Sequence, residues 1–369
     1  MAPMSSRERM MIALENGRPD RLPCQVHSWM DYYLNHYLGG IDSWEAYRKF
    51  DMDFAMYGAP RYAYSDKSMA QWQAKRQDLG VNEQGDQCWT TTIVTPRGEL
   101  HIQGRTNEYT SWETEPIVKD ERDFELWNTH VPIPESADMT PLKEMKERLG
   151  DRGIVRSYAF SFGQGSPWQS FCVLVGTESA IMMALTQPDF THYALDEILK
   201  KTLMVAGMWE EMPVDVLETG GGAGSSTVIS PALFREFCLP YDQKQNAAFH
   251  ELGLKVVCHL CGGIMPMLDL VLETGADGLE TMTPPSMGGD CDLREVSRRI
   301  GDKLFFIGGF DQCGGFENGT PAKARELVFE CFKSTKDHAG YICSPSDHFF
   351  HGNPENIQAF ADAARECTY

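Results

Sequence analysis

The sequence has no long hydrophobic segment, and it has few basic residues relative to acidic ones. No apolar run approaches the roughly 20 residues that a membrane-spanning helix requires, and residues 1–21 are charged and lack the apolar core of a secretory signal. Lysine and arginine together number 33 against 53 aspartates and glutamates, so the formal net charge is −20. A nucleic-acid-binding surface requires clustered basic residues. We therefore expect a cytoplasmic protein that binds neither membranes nor nucleic acid.

A disulfide framework is also absent from the sequence pattern. The 11 cysteines are odd in number and are scattered through 369 residues, unlike those of a small disulfide-rich secreted domain. Most of them should be small buried hydrophobic residues. Hydrophobic residues make up 42% and charged residues 23% of the chain, as in ordinary globular proteins. With no linker, internal repeat or low-complexity tract, residues 1–369 are expected to form a single domain.

Short apolar runs and helical patterns alternate along the chain. The runs are mostly continuous rather than alternating, which is typical of parallel strands covered on both faces. Eight runs are predicted as strands: 22–27, 53–58, 153–162, 214–220, 255–261, 275–282, 303–309 and 340–344. Helical patterns between them indicate a parallel α/β fold. Eight strands of this kind favour a closed (β/α)8 barrel, or TIM barrel, over an open sheet.

Residues 85–115 depart from this alternation of strand and helix patterns. Their apolar residues alternate with a period of two around Pro96-Arg97-Gly98, so we predict an antiparallel β-hairpin. This hairpin is an insertion between the second and third predicted strands. We expect it to lie over the mouth of the barrel.

The residues at the carboxyl ends of the predicted strands are the candidates for an active site, because barrels of this kind build their sites there. His259 and Cys261 end the fifth predicted strand. Residues i and i+2 of a strand point to the same side, so both side chains can reach one ion. An imidazole with a thiolate suits zinc best. Glu280, at the end of the next strand, can add a carboxylate.

The fourth ligand of such a site is left open. Asp347 follows the eighth predicted strand and could complete the shell, and His348 and Cys343 compete with it. The alternative interpretation is structural, because most His-x-Cys triplets bind nothing and a buried cysteine usually belongs to the core.

Glu218 ends the fourth predicted strand and precedes the small residues 220–224, which leave room for a ligand. A carboxylate there could act as a general base or orient a substrate. The alternative is a structural ion pair with an arginine. His27 and Trp29 follow the first predicted strand and are candidate substrate-binding residues, in a segment rich enough in aromatic residues to line a flat pocket.

Four segments of the sequence resemble the uroporphyrinogen decarboxylase superfamily. They are SSRERMMIALENGRPDRLP at 5–23, FGQGSPWQSFCVLVGTESAIMMALTQPDF at 162–190, ISPALFREFCLPYDQK at 229–244 and YICSPSDHFFHGNPENIQAF at 341–360. The resemblance implies a (β/α)8 barrel and one of two activities. Members are either decarboxylases or zinc methyltransferases that work with corrinoid proteins.

The resemblance to the methyltransferase branch is the stronger one. The decarboxylases carry an arginine-rich stretch where this chain has HSWMDYYLNHYL, and the acidic composition also disfavours a poly-carboxylate substrate. His259 and Cys261 match the His-x-Cys of the methyltransferases, and Glu280 matches a ligand of a related synthase. Where those enzymes have a last cysteine, this chain has Asp347. A carboxylate in place of a thiolate makes the site harder, which suits the cleavage of a methyl ether.

The resemblance thus implies a methyltransferase that moves a methyl group from a small methylated donor, such as a methoxylated aromatic compound, to the cobalt of a corrinoid protein. Its zinc ligands would be His259, Cys261, Glu280 and Asp347. Glu218 and His348 would be the catalytic residues that position the substrate or protonate the leaving oxygen. The alternatives are a decarboxylase, a methyl-corrinoid:thiol methyltransferase and a non-catalytic corrinoid-binding barrel. The donor, the direction of transfer and the presence of a homodimer are left open.

Overall fold

The structure is a computed structural model that describes residues 4–163 and 165–369. Its strands are β1 (Phe54–Tyr57), β2 (Arg61–Ala63), β3 (Gln73–Val81), β4 (Gln87–Thr95), β5 (Gly98–Thr106), β6 (Ser111–Glu115), β7 (Ser136–Asp138), β8 (Gly153–Tyr158), β9 (Val216–Gly220), β10 (Val256–His259), β11 (Gly278–Thr281), β12 (Phe305–Phe310) and β13 (Tyr341–Pro345).

The α-helices lie mostly between the strands of the second half. They are α1 (Ser6–Leu14), α2 (Asp31–Tyr37), α3 (Ser43–Phe50), α4 (Asp66–Ala70), α5 (Glu121–His130), α6 (Thr140–Leu149), α7 (Pro167–Val175), α8 (Thr177–Thr186), α9 (Pro188–Ala206), α10 (Pro231–Phe237), α11 (Leu239–Glu251), α12 (Leu268–Glu273), α13 (Leu293–Ile300), α14 (Pro321–Thr335) and α15 (Pro354–Glu366). In the described part of the chain no single helix is long and apolar enough to cross a membrane, and only the pair α7 and α8, bent by 108°, passes that test jointly.

A parallel sheet of seven strands organises the molecule, in the order β1-β8-β9-β10-β11-β12-β13. This confirms the parallel α/β fold predicted from the alternating pattern. One set of side chains from these strands, which includes Ile154, Val257 and Ile307, packs in a common cluster with Met10 and Leu14 of α1. The opposite set packs in a much larger cluster with the flanking helices. Burial on both faces is the reason why these strands read as continuous apolar runs.

The predicted first strand is much shorter than expected. Residues 22–27 form an isolated parallel bridge, Cys24 with Cys343, instead of a regular strand. The Gln25 amide donates to the Cys343 carbonyl at 3.0 Å, and on the other side the Asp53 amide donates to the Cys24 carbonyl at 3.0 Å. The segment therefore lies between β13 and the start of β1, the two ends of the seven-stranded sheet.

A separate antiparallel sheet, in the order β3-β4-β5-β6, contains the segment predicted as a hairpin. The pairing of β4 with β5 reaches Thr95 and Gly98 at the turn. The sheet is wider than predicted, because it begins at Gln73. Every residue of β3 is exposed, so this strand has no buried face and no apolar alternation from which it could be predicted. At the other end of the sheet, the Tyr109 ring lies 4.6 Å from the Tyr32 ring of α2.

Candidate metal centre and cavity

Strand register brings several polar side chains together at the carboxyl end of the parallel sheet. His259 of β10 is the direct partner of Glu280 in β11. Tyr158 of β8 is the partner of Glu218 in β9. Partners in a sheet project to the same side, so residues that are distant in sequence meet in one place.

The centre of this group is the imidazole of His259, which is buried with two carboxylates. Its Nδ1 atom lies 2.8 Å from Glu280 Oε1 and 3.2 Å from Glu218 Oε1. His27 completes a group of four buried side chains, each of which offers one ligand atom within 4.8 Å of the others. We call these four residues, His27, Glu218, His259 and Glu280, the His–Glu cluster.

A buried arginine lies against the carboxylates of the His–Glu cluster. Arg156 of β8 is fully buried and donates to Glu280 Oε2 and, at 3.3 Å, to Glu218 Oε2. The Tyr57 hydroxyl also donates to Glu218 Oε2, at 2.6 Å. Buried charges are tolerated when they are paired and hydrogen-bonded, and Arg156 meets that condition for both glutamates.

The pKa values of the cluster diverge. Burial favours the neutral acid of Glu280, but the charge of Arg156 and the His259 hydrogen bond outweigh it and hold the pKa well below its ordinary value. For Glu218, burial and the charge of Glu280 raise the pKa. Burial opposes the charging of His259, yet the charge of Glu218 and the hydrogen bonds that His259 donates to its neighbours raise its pKa well above the ordinary value. For His27, burial dominates and lowers the pKa.

A cavity of about 260 Å³ opens beside the His–Glu cluster. Its walls combine imidazole, thiol, hydroxyl and carboxylate groups, from His27, Tyr158, Ser161, Gly163, His259, Cys261, Asp347 and His348. The thiol of Cys261 lies close to the glycine-rich segment: a Cβ atom on Gly222 would be only 2.6 Å from Cys261 Sγ. Glycine at this position therefore leaves room for the thiol.

The chain turns sharply after Glu280. Thr281 and Met282 have φ angles of 76° and 47°, a left-handed conformation that costs roughly 1–2 kcal/mol for each residue with a side chain. Beyond this turn the Thr283 hydroxyl accepts a hydrogen bond from the Gly262 amide at 3.1 Å. The strained turn therefore connects the strand that carries Glu280 to the loop that follows Cys261.

The structure brings most of the predicted site residues together, although in a different grouping. His259 and Glu280, predicted as metal ligands, lie in the His–Glu cluster with Glu218 and His27. Cys261, Asp347 and His348 line the adjoining cavity. The His348 Nδ1 atom is buried without a hydrogen-bond partner among the described residues.

Two predicted candidates lie elsewhere. Trp29 is stacked on Phe50, with the ring centroids 5.7 Å apart, and it is not among the described residues that line the cavity. Cys343, one alternative for the fourth ligand, is fully buried and packs in the main hydrophobic cluster with Cys331 of α14. Both side chains are therefore part of the packed core.

Sequence reasoning missed three residues of the site: Tyr57, Arg156 and Tyr158. One signal was available for Arg156, which interrupts the apolar run at 153–158. A charged residue in a strand that is buried on both faces needs an opposite charge nearby. The alternative prediction, that Glu218 forms an ion pair with an arginine, therefore agrees with the observed contact between Glu218 and Arg156.

The donor groups at this site fit a borderline metal ion. Two imidazoles, two carboxylates and an adjacent thiol are ligand types that zinc accepts, and four of these groups already have ligand atoms within 4.8 Å of one another. Both oxygens of Glu280 are engaged, by His259 and Arg156. That arrangement is typical of a carboxylate that orients a metal-binding histidine.

Comparisons with known proteins identify a family and several relatives. The family model described as "Uroporphyrinogen decarboxylase (URO-D)" matches residues 113–367. A methylated-thiol–coenzyme M methyltransferase of Methanosarcina mazei is 25% identical over 194 residues, which are 52% of this chain and 49% of that protein. A uroporphyrinogen decarboxylase of Neisseria meningitidis serogroup C is 25% identical over 216 residues, 55% of this chain and 57% of that protein. The chain thus spans about half the length of these relatives.

A third relative and one solved structure are also similar. A methylcobamide:CoM methyltransferase of Methanosarcina acetivorans is 26% identical over 146 residues, 39% of this chain and 40% of that protein. A methyltransferase structure from Methanosarcina mazei superimposes with a TM-score of 0.64 at 16% identity, covering 98% of this chain and 99% of that one. The structural similarity shows that the two chains share a fold.

Proposed function

We propose that this chain, which belongs to the uroporphyrinogen decarboxylase (URO-D) family, is a methyltransferase that moves a methyl group from a small methylated donor to the cobalt of a corrinoid protein. The observation that carries the proposal is the buried His–Glu cluster next to the Cys261 thiol, at the wall of a cavity of about 260 Å³. The methyltransferases among its relatives support the same activity. Our preferred donor is a methoxylated aromatic compound, with methylated thiols and the reverse transfer to a thiol as alternatives.

The proposed cofactor is zinc, with His259, Cys261, Glu280 and Asp347 as its ligands. Glu218 Oε1 contacts His259 Nδ1, which leaves Nε2 as the nitrogen for an ion. Glu280, which also contacts Nδ1, would give up that bond to serve as a ligand. Bound there, zinc would supply Lewis acidity toward the oxygen or sulfur of the donor. We also propose that the bonds of residues 23–25 to β13 and Asp53 close the sheet into the (β/α)8 barrel, with the antiparallel sheet as its insertion.

The protein's own residues would protonate the leaving oxygen and position the metal-binding histidine. In the transfer the bond between the methyl carbon and the donor oxygen breaks, and a new bond forms from that carbon to Co(I) with the cobalt electron pair. The oxygen retains the old bonding pair and takes up a proton. His348 lines the cavity with an unpartnered Nδ1 atom, so we assign it this proton. Glu218 positions His259 through its 3.2 Å contact.

A porphyrinogen decarboxylase is less well supported. Its substrate carries several carboxylates, which require cationic partners. The described residues that line the cavity include neither lysine nor arginine. Arg156, which lies against the His–Glu cluster, is already bonded to Glu218 and Glu280.

The first test is the metal content of anaerobically purified protein. We expect about one zinc per chain in the wild type and its loss in His259→Ala and Cys261→Ala, because each removes a ligand. Cys88→Ala is the matched control, since Cys88 is a partly exposed cysteine in β4 of the other sheet. Wild-type protein without stoichiometric metal would rule out the zinc site, and decarboxylation would become the reaction to test.

The second test determines whether the protein transfers a methyl group from an ether to cobalt or from cobalt to a thiol. The zinc-loaded protein is given 2-methoxyphenol and cob(I)alamin, and the methylcobalamin formed is followed by its absorbance. A parallel reaction supplies methylcobalamin and a thiol. Transfer only in the thiol reaction would overturn the proposed donor and direction while leaving a methyltransferase.

A further inference from the structure

Three side chains form a stack that runs from the buried arginine to the surface of the cavity. The Arg156 guanidinium lies over the Tyr57 ring, 4.7 Å from its centroid. The Tyr57 ring is also stacked with the Tyr158 ring, at 4.7 Å and an interplanar angle of 16°. Arg156 and Tyr158 are residues i and i+2 of β8, so they point to the same side of the strand. We call these three residues the Arg–Tyr–Tyr stack.

The outer ring of this stack faces open space. Tyr158 is 44% exposed and lines the cavity. Tyr57 is the one described aromatic residue with which it makes a ring contact. Tyr158 therefore presents one flat apolar face to the cavity. The stacked Tyr57 ring on its other side restricts the orientation of that face.

We propose that Tyr158 is the platform on which the planar ring of an aromatic methyl donor stacks, and that this contact selects aryl methyl ethers over aliphatic donors. The inference rests on the proposed methyltransferase function and names the substrate class of the same site. Offset stacking between aromatic rings adds affinity beyond simple burial. An aliphatic donor such as methanol has no ring and gains nothing from this surface.

Tyr158 lies close to the residues that would take part in the reaction. Tyr158 is the register partner of Glu218, whose carboxylate contacts His259. A ring lying on Tyr158 therefore places its substituents near the His–Glu cluster. The cavity of about 260 Å³ exceeds the roughly 150 Å³ that accommodates benzene in a protein interior, so one substituted ring fits.

A polar group on the same wall suits a substituted ring. The Ser161 hydroxyl lines the cavity with Tyr158. It can bond to a hydroxyl group on the ring, which a phenolic donor carries and a simple alkyl ether lacks. The expected ligand is therefore a monocyclic phenol with a methoxy substituent.

The test compares two variants of Tyr158 in the full-length, zinc-loaded protein. Tyr158→Phe keeps the ring and Tyr158→Leu removes it. Tyr193→Leu is the control, because Tyr193 is a similarly exposed tyrosine, at 40%, that also contacts another ring, on α9 away from the cavity. Binding of 2-methoxyphenol is measured by titration calorimetry, and the KM values for 2-methoxyphenol and methanol are measured with cob(I)alamin.

We expect Tyr158→Leu to weaken 2-methoxyphenol binding by roughly 3- to 10-fold, the equivalent of one aromatic contact, and to raise its KM by a similar factor. The KM for methanol should rise by a clearly smaller factor, and Tyr158→Phe should retain binding of 2-methoxyphenol because it keeps the ring. Tyr193→Leu should match the wild type. Equal effects on both donors, unchanged binding in Tyr158→Leu, or no binding of 2-methoxyphenol by the wild type would each overturn the platform.

These outcomes are distinct from failure of the proposed function. A wild-type protein that transfers no methyl group from either donor contradicts the proposed function. The calorimetric titration still decides the role of Tyr158 in that case, because binding does not depend on turnover.

Discussion

The two main sheets of this protein use polar residues in opposite ways. In the parallel sheet the strands are buried, and the carboxylates of the His–Glu cluster have charged partners, as Glu280 has Arg156 and His259. In the antiparallel sheet β3 is exposed along its whole length, and charged residues such as Arg105 are exposed to solvent. The comparison indicates that burial decides whether a charge must be paired, and that the candidate site is built from buried, paired charges.

The largest expected effect comes from removing the buried cation. Arg156→Met leaves Glu218 and Glu280 without their guanidinium, and breaking a buried ion pair from one side costs about 3–5 kcal/mol. Arg105→Met removes an exposed cation that lies 3.7 Å from Asp86, and such pairs contribute about 0–1 kcal/mol. Urea unfolding of both variants measures the difference. Similar losses in the two sheets would show that burial is not the deciding factor.

The next largest effect concerns a buried acid, Asp242, that has no ion-pair partner in the described part of the chain. Asp242 of α11 is buried, its Oδ1 atom has no hydrogen-bond partner among the described residues, and burial raises its pKa to about 7. An unfolded aspartate has a pKa of about 3.9. The unfolded state therefore releases its proton first, and stability falls as the pH rises from about 4 to about 7.

Asp242→Asn should remove this pH dependence. At pH 8 we expect the variant to be more stable than the wild type by up to a few kcal/mol, since a tenfold difference in the ionisation constant of the acid between the folded and unfolded states corresponds to about 1.4 kcal/mol. At pH 4 the two proteins should be nearly equal, because Asp242 is then neutral in the folded state. Thermal unfolding at a series of pH values measures this. A gain that is independent of pH would contradict the buried, unpaired acid.

The smallest effect is expected at the exposed strand. Leu79 in β3 is 52% exposed, and substitutions at such surface positions usually change stability by less than about 0.5 kcal/mol. Leu79→Thr should therefore leave the unfolding midpoint and the zinc content unchanged. A large loss of stability would show that β3 is covered in solution, for example by a second copy of the chain, and size-exclusion chromatography would detect the change in oligomeric state.

Prediction from the sequence was most successful where a local pattern carries the information. Strand β1 and the last five strands of the parallel sheet, β9 to β13, were predicted close to their observed positions, because each is an apolar run buried in the sheet. The first predicted strand is reduced to a bridge at Cys24. Strand β3 was missed because all of its residues are exposed and no apolar alternation marks it.

By itself, the sequence determined the parallel α/β class and a short list of chemically capable residues, among them His259, Glu280 and Glu218. The tertiary structure alone decided which of them are in contact. Contacts between strands depend on which strands pair and in which register, and the apolar pattern of a single strand specifies neither. Arg156 is 124 residues from Glu280 along the chain and bonded to it in space. The same packing placed Trp29 in the core and exposed Tyr158 at the cavity, since burial is a property of the assembled fold.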